Sequence, residues 1–146
     1  MAHSDDALGA YLQFQNAKSS LSKREQEVIN LVVSQQNGCT YCQSAHTAIG
    51  KMNGYSDDQI LEIRSGSATF DAKLDALAQL AKETAINKGN INPTTLEQFF
   101  SAGYTKANLV DLVLVVGEIT VTNYLHNITQ VPVDFPLATP LEAVNS

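Results

Sequence analysis

Helix-start signals recur along this chain, and nowhere between them do apolar and polar residues alternate as in a half-buried strand. Ser22 is followed three positions on by Glu25, the spacing of a reciprocal cap: the serine hydroxyl accepts one free N–H of the first turn and the carboxylate accepts another. The helix so opened runs to about Gln36, with Val28, Leu31, Val32 and Gln35 on one face, and Asn37-Gly38 stops it. A second helix spans about Cys39 to Met52, ending at Asn53-Gly54, and Ser56 with Gln59 caps a third over Asp57 to Arg64. Asp71 opens a fourth through Asn87, closed by Lys88-Gly89. Asn92-Pro93 starts a fifth that ends near Gly103, because proline fits a first turn whose N–H groups lack partners anyway. Thr105 caps the longest, roughly Lys106 to Ile128. Its "LVDLVLVVGEITV" is rich in β-branched residues but far exceeds strand length, so it reads as a buried helix. From about 131, "VPVDFPLATP" is a proline-rich extended tail lying over another surface. The expectation is an all-α bundle of about six helices, forming a single domain over 1–146.

Two segments echo each other. "GYSDDQILEI" at 54 and "GYTKANLVDL" at 103 share Gly-Tyr-Ser/Thr, three residues, then apolar-apolar-acidic-apolar, and the same offset of 49 lays Ser22 over Asp71. Few residues are identical. Read as a duplication, the pattern describes two three-helix units packed together. The second unit has Lys88, Ile91 and Thr95 where the first has Cys39, Cys42 and His46, so any chemistry belongs to the first.

Charge narrows the partners. The net charge is −6 and the pI about 4.8, which argues against nucleic acid or an anionic membrane surface. No run of about 18 apolar residues is present; the longest, Leu112 to Val116, is far shorter, so no membrane span is expected. "MAHSDDALGA" has no basic segment followed by an apolar one. The expected location is the cytoplasm, where structural disulfides are rare and a CxxC pair is catalytic or metal-binding more often than structural.

The chain has two cysteines, and both fall in "NGCTYCQSAH", residues 37–46. Cys39, Cys42 and His46 stand at i, i+3 and i+7, one face of a helix. Cysteines so spaced in a first turn reach disulfide distance. A thiol at a helix start also feels the dipole, and a nearby imidazole can take its proton; both favour thiolate. Three readings compete: a redox pair, part of a zinc site, or two buried thiols packed as small hydrophobes. Zinc needs four ligands, and His126 is the candidate fourth, but 80 residues separate it from His46. His3 falls in a terminus expected to fray, and His126 reads otherwise as a packed or interface residue. Glu27, twelve residues before Cys39, is either a surface carboxylate or one that faces the CxxC turn and completes a proton relay with His46.

Glu27, Cys39-Thr-Tyr-Cys42 and His46 together give E-x11-C-x-x-C-x3-H, which resembles the signature of the alkylhydroperoxidase D-like group within the carboxymuconolactone decarboxylase superfamily. "EQEVINLVVSQQNGCTYCQSAHTAIGKMNGYSDDQILEIRSG" is similar to that family's core throughout, and "VPVDFP" to the tail of its small members. The resemblance implies an all-helical homo-oligomer, trimer or hexamer, and a thiol-dependent peroxidase needing no metal, haem or other cofactor. It implies a hydroperoxide substrate and an external dithiol or protein reductant. By position, Cys42 is the attacking thiolate, Cys39 the resolving thiol, and His46 and Glu27 the proton relay. Tyr41 stands where the best-studied members have histidine; tyrosine is common there in smaller relatives, though a phenol is a poor base at neutral pH. The lactone-decarboxylating branch lacks the CxxC, which counts against decarboxylation. The dipole favours Cys39 as the more acidic thiol, whereas the family assigns attack to Cys42.

Overall fold

The computed structural model describes residues 4–141. Among them are seven helices and no strand: α1 (Asp5–Gln15), α2 (Lys23–Gln36), α3 (Thr40–Met52), α4 (Asp57–Ser65), α5 (Ala72–Asn87), α6 (Pro93–Ser101) and α7 (Lys106–Thr129). The caps are those the sequence indicates. Ser22, Ser56 and Thr105 each form a reciprocal capping box with Glu25, Gln59 and Asn108, and Asp71 and Asn92 accept first-turn N–H groups. The additional helix, α1, is capped by Ser4 and carries Asp5 and Asp6 where the dipole favours anions. None of its residues is fully buried; Leu8 and Tyr11 are half-buried. His3 lies outside the described residues.

Helix α2 is the centre of the bundle and packs on α3, α4, α5 and α7. Val28, Ile29, Leu31, Val32 and Val33 are all fully buried on it, against Ile60, Ile63, Leu77, Leu80 and Leu112 from its neighbours.

The 49-residue echo has a structural counterpart. Gly54 and Gly103 take φ values of 93° and 109°, a conformation that favours glycine. Each turn buries the following tyrosine and ends on a capping residue, Ser56 or Thr105. The Arg24 guanidinium lies 4.1 Å from the centroid of the Tyr55 ring, and the Lys73 ammonium lies 4.7 Å from that of Tyr104. Arg24 and Lys73, like the two tyrosines, are 49 positions apart.

Helix α7 departs from the expectation of a buried helix. Leu112, Val115, Ile119 and Asn123 are buried, while Val110, Val113, Leu114, Val121, Tyr124 and Ile128 are exposed. By length and composition it is apolar enough to cross a membrane. The count of unbroken apolar residues missed this because Asp111 and Glu118 interrupt the run, whereas averaging over 18 residues absorbs them. Here it packs along α2 and touches α1, α3 and α5.

Residues 131–140 carry no helix or strand and lie over α3 and α4 of the same chain. Ala138 N–H donates to Ser44 Oγ at 3.1 Å, and the buried Arg64 donates to Thr139 O at 2.7 Å.

Leu77 is fully buried between α5 and α2, where truncation leaves a cavity the close-packed helices cannot fill. Leu77→Ala is expected to lower stability by about 2–5 kcal/mol, measured by urea unfolding followed by circular dichroism.

Candidate functional site

The turn between α2 and α3 sets the cysteines. Gly38 takes φ 65°, and the Cys39 N–H returns to Ser34 O at 3.1 Å. Asn37 is tied to α7 twice: its Nδ2 donates to Asn123 Oδ1 at 3.0 Å, and its carbonyl accepts from Asn127 Nδ2 at 2.8 Å. Cys39 is therefore the N-cap of α3, its Sγ accepting the N–H of Cys42 at 3.2 Å. Cys39 and Cys42 form a disulfide, with Cα atoms 5.2 Å apart, and both are buried. The two cysteines are thus bonded to each other at the start of α3.

Glu27 is not a surface carboxylate: it is only 5% exposed. His46 Nδ1 lies 2.5 Å from Glu27 Oε1 and 3.2 Å from Oε2, and Asn30 Nδ2 donates to Oε2 at 2.8 Å. A carboxylate accepts, so Nδ1 carries the hydrogen and Nε2 is left as the basic nitrogen. The sequence reading placed His46 beside Cys42, one turn along α3. In the structure the nitrogen that meets Cys42 Sγ is instead Nδ1 of His126, at 3.8 Å.

Tyr41 lies flat on the His126 ring, centroids 4.3 Å apart and planes 8° apart, with Phe135 of the tail edge-on to it at 5.8 Å. Partial burial, together with a hydrogen bond to and the charge of Asp134, raises its phenol above the usual tyrosine value. Tyr41 is thus a packing surface for an imidazole rather than a base.

A cavity of about 520 Å³ opens onto these groups, lined by Cys42, Glu27, His46 and His126 together with Tyr11 and Gln15 of α1. Glu118 of α7 also lines it. Burial is the main cause that raises the Glu118 carboxyl above the usual range, opposed by the attraction of His46 and Lys23. Glu118 was no candidate in the sequence, and His126 was weighed there only as a fourth zinc ligand or a packed or interface residue. A signal was present: Glu118, Thr122 and His126 recur at i, i+4 and i+8, a polar line along a largely apolar helix, and all three line the cavity.

Among the described residues, the group with metal-ligand spacing is Cys39, Cys42 and His126, whose donor atoms lie within 4.8 Å of one another. His46, engaged by Glu27, is not part of it, so the four ligands considered from sequence do not assemble. In the disulfide state each sulfur is bonded to the other, and His126 Nδ1 donates its hydrogen to Thr122 O at 2.7 Å.

An all-α bundle that presents a CxxC disulfide and a buried Glu–His pair to one cavity is an alkylhydroperoxidase D-like protein in its architecture. Residues 3–91 match the carboxymuconolactone decarboxylase family, and the chain belongs to that family. An uncharacterized protein of Bacillus subtilis (strain 168), YdfG, is 25% identical over 108 residues, covering 73% of this chain and 74% of its own. The fold is similar to that of an Agrobacterium tumefaciens protein of unknown function, a candidate antioxidant-defence AhpD. The TM-score is 0.82 at 19% identity, over 92% of this chain and 95% of that one. It is also similar to an uncharacterized peroxidase-related protein with an AhpD core from Ralstonia eutropha JMP134. There the TM-score is 0.79 at 21% identity, over 91% and 74% of the two chains.

The raised Glu118 carboxyl has a consequence for stability. A folded-state value above the unfolded one means that the native protein binds more protons between the two, so stability falls as pH rises through that window. Glu118→Gln is expected to raise the urea midpoint at pH 7 relative to the native chain. The advantage should vanish at a pH below the unfolded carboxyl value of about 4.3.

Proposed function

We propose that the chain is a thiol-dependent hydroperoxidase that cycles between the Cys39–Cys42 disulfide and the dithiol. The observation that carries this reading is that Cys42 of a closed CxxC disulfide faces the same cavity as the buried Glu27–His46 pair. An external dithiol, or a protein that carries one, reduces the disulfide and is itself oxidised. His46 Nε2 takes the Cys42 thiol proton through water, with Glu27 accepting the Nδ1 hydrogen and offsetting the positive charge. The Cys42 thiolate attacks one peroxide oxygen: an S–O bond forms, the O–O bond breaks, and the departing alkoxide or hydroxide takes the proton from His46. Cys42 is now a sulfenic acid. Cys39 attacks its sulfur, water leaves, and the disulfide is restored. The balance is one peroxide reduced and one dithiol oxidised per cycle.

Cys42→Ser is expected to abolish consumption of hydrogen peroxide in the presence of dihydrolipoamide, followed by loss of peroxide. Glu27→Gln should slow it by about 10- to 10⁴-fold, the range for a lost acid–base group. A Glu27→Gln protein with the native rate would remove the relay from the mechanism.

The reading includes self-association as a trimer or hexamer. Val110, Leu114, Gly117, Val121, Tyr124 and Ile128 are exposed on α7 at spacings that alternate four and three, the pattern of a helix seam that meets another helix. Ile128 is 79% exposed and Val110 59%, a cost in water that a second copy would remove. Light scattering is expected to give a multiple of the 15.8 kDa chain, and Val121→Glu a smaller species. A monomer at micromolar concentration would overturn the oligomer.

A further inference from the structure

The polar side chain that meets Cys42 Sγ comes from α7. His126 Nδ1 stands 3.8 Å from Cys42 Sγ and 2.7 Å from Thr122 O. A carbonyl oxygen only accepts, so Nδ1 carries a hydrogen and gives it to Thr122 O, with Cys42 Sγ beside the same nitrogen. The ring has little freedom to leave. Thr122 O holds Nδ1, Tyr41 covers one face at 4.3 Å, and Phe135 closes on Tyr41 from the tail. His46 Nδ1 is committed to Glu27.

We propose that His126, and not His46, holds the negative charge on Cys42 once the disulfide is reduced, while the Glu27–His46 pair moves protons. The proposal rests on the thiol-cycling reading above and divides its labour between two histidines. In the disulfide the sulfur is neutral and a weak acceptor, and 3.8 Å is a long contact. Reduction turns the same atom into a charged acceptor beside that nitrogen, so the Nδ1 hydrogen is shared between Thr122 O and the thiolate, and a hydrogen bond to a charged group is the stronger kind. The neutral ring suffices, since Nδ1–H exists without protonation of Nε2.

The other charges around the cavity do not do this work. Lys23 of α2 favours a thiolate, while Glu27 and Glu118 oppose it; Tyr11 of α1 is neutral, and Asp134 of the tail is engaged by the Tyr41 phenol. Charge in the cavity is balanced against the sulfur, and the donor at His126 decides the outcome. The disulfide also places Cys42 N–H on Cys39 Sγ, so the backbone donor of the first turn serves Cys39 and leaves Cys42 to its side-chain neighbour.

The test is the thiol titration of Cys42 in a Cys39→Ser background, read as the rate of iodoacetamide alkylation against pH, with helicity checked by circular dichroism. Cys42 is expected to titrate below the ~8.5 of a free thiol. His126→Ala should cut the thiolate fraction on the acid side of that titration about tenfold, the worth of a charge-assisted hydrogen bond. His126→Asn, whose amide N–H sits near the position of Nδ1, should keep most of it, and His46→Ala should leave the titration where it was. A second measurement uses both cysteines: at neutral pH, equilibrium with dithiothreitol should lie about tenfold further toward the protein disulfide in His126→Ala. An unmoved titration in His126→Ala, or an equal shift in His46→Ala, overturns the proposal. Peroxide turnover is a separate readout. A native chain that turns over peroxide while His126→Ala titrates unchanged overturns the role of His126 alone. An inactive native chain whose Cys42 still depends on His126 overturns the peroxidase reading alone.

Discussion

The buried stretch of a central helix has few places for a carboxylate, and that of α2 carries one. Glu27 sits among Val28, Ile29 and Leu31 on the helix that every large contact of the bundle shares. An unpaired charge there would cost several kcal/mol, so the fold must bring it a partner. His46 and Asn30 are those partners. The requirement reaches further than the pair itself. His46 can meet Glu27 only if α3 crosses α2 at one height, and that height also fixes Cys42, one turn earlier on α3, and Cys39 at its start. The position of the disulfide in the bundle follows from the pairing of a buried acid.

Helix boundaries were legible because they are written in short-range chemistry. Ser22 with Glu25, Ser56 with Gln59, Asp71 and Asn92-Pro93 each satisfy free N–H groups within a few residues, and such signals need no knowledge of the fold. Helix α1 was illegible for a matching reason. None of its residues is fully buried, and its Ser4 cap has no reciprocal partner. The disulfide and the carboxylate were legible from spacing and from the family signature. His126 was not: its role depends on Asn37 binding Asn123 and Asn127 across more than 80 residues, which brings the end of α7 over the CxxC turn. The polar line on α7 could be seen in the sequence, but not what it would face.

The two halves show why one carries chemistry and the other does not. Arg24 on Tyr55 and Lys73 on Tyr104 repeat the same contact at the same offset, so α2 and α5 begin alike. The following turns differ. In the first half, Gly38 alone separates the C-cap Asn37 from a new N-cap, and Cys39 falls at a helix start. In the second half, Lys88 and Gly89 both take positive φ and α6 starts only at Pro93, so Lys88 falls at a helix end. A thiol there would have neither the dipole nor the N–H that Cys39 receives. The chemistry needed a short turn as well as the right residues.

That turn also reconciles two demands on the cysteines. Cys39, as N-cap, has the dipole and an N–H on its sulfur, which makes it the better-stabilised thiolate. Cys42 has the cavity: it lines that space and Cys39 does not. Acidity and access are thus placed on different atoms. In a cycling dithiol this division is useful in both directions. In the proposed cycle the sulfur open to a peroxide is Cys42, so attack is assigned to it whatever its neighbour's acidity. When a reducing thiolate later enters the same cavity, it meets Cys42 again, and the group that must depart is Cys39. A leaving thiolate departs faster the better its charge is held, and Cys39 departs into the N–H already bonded to it.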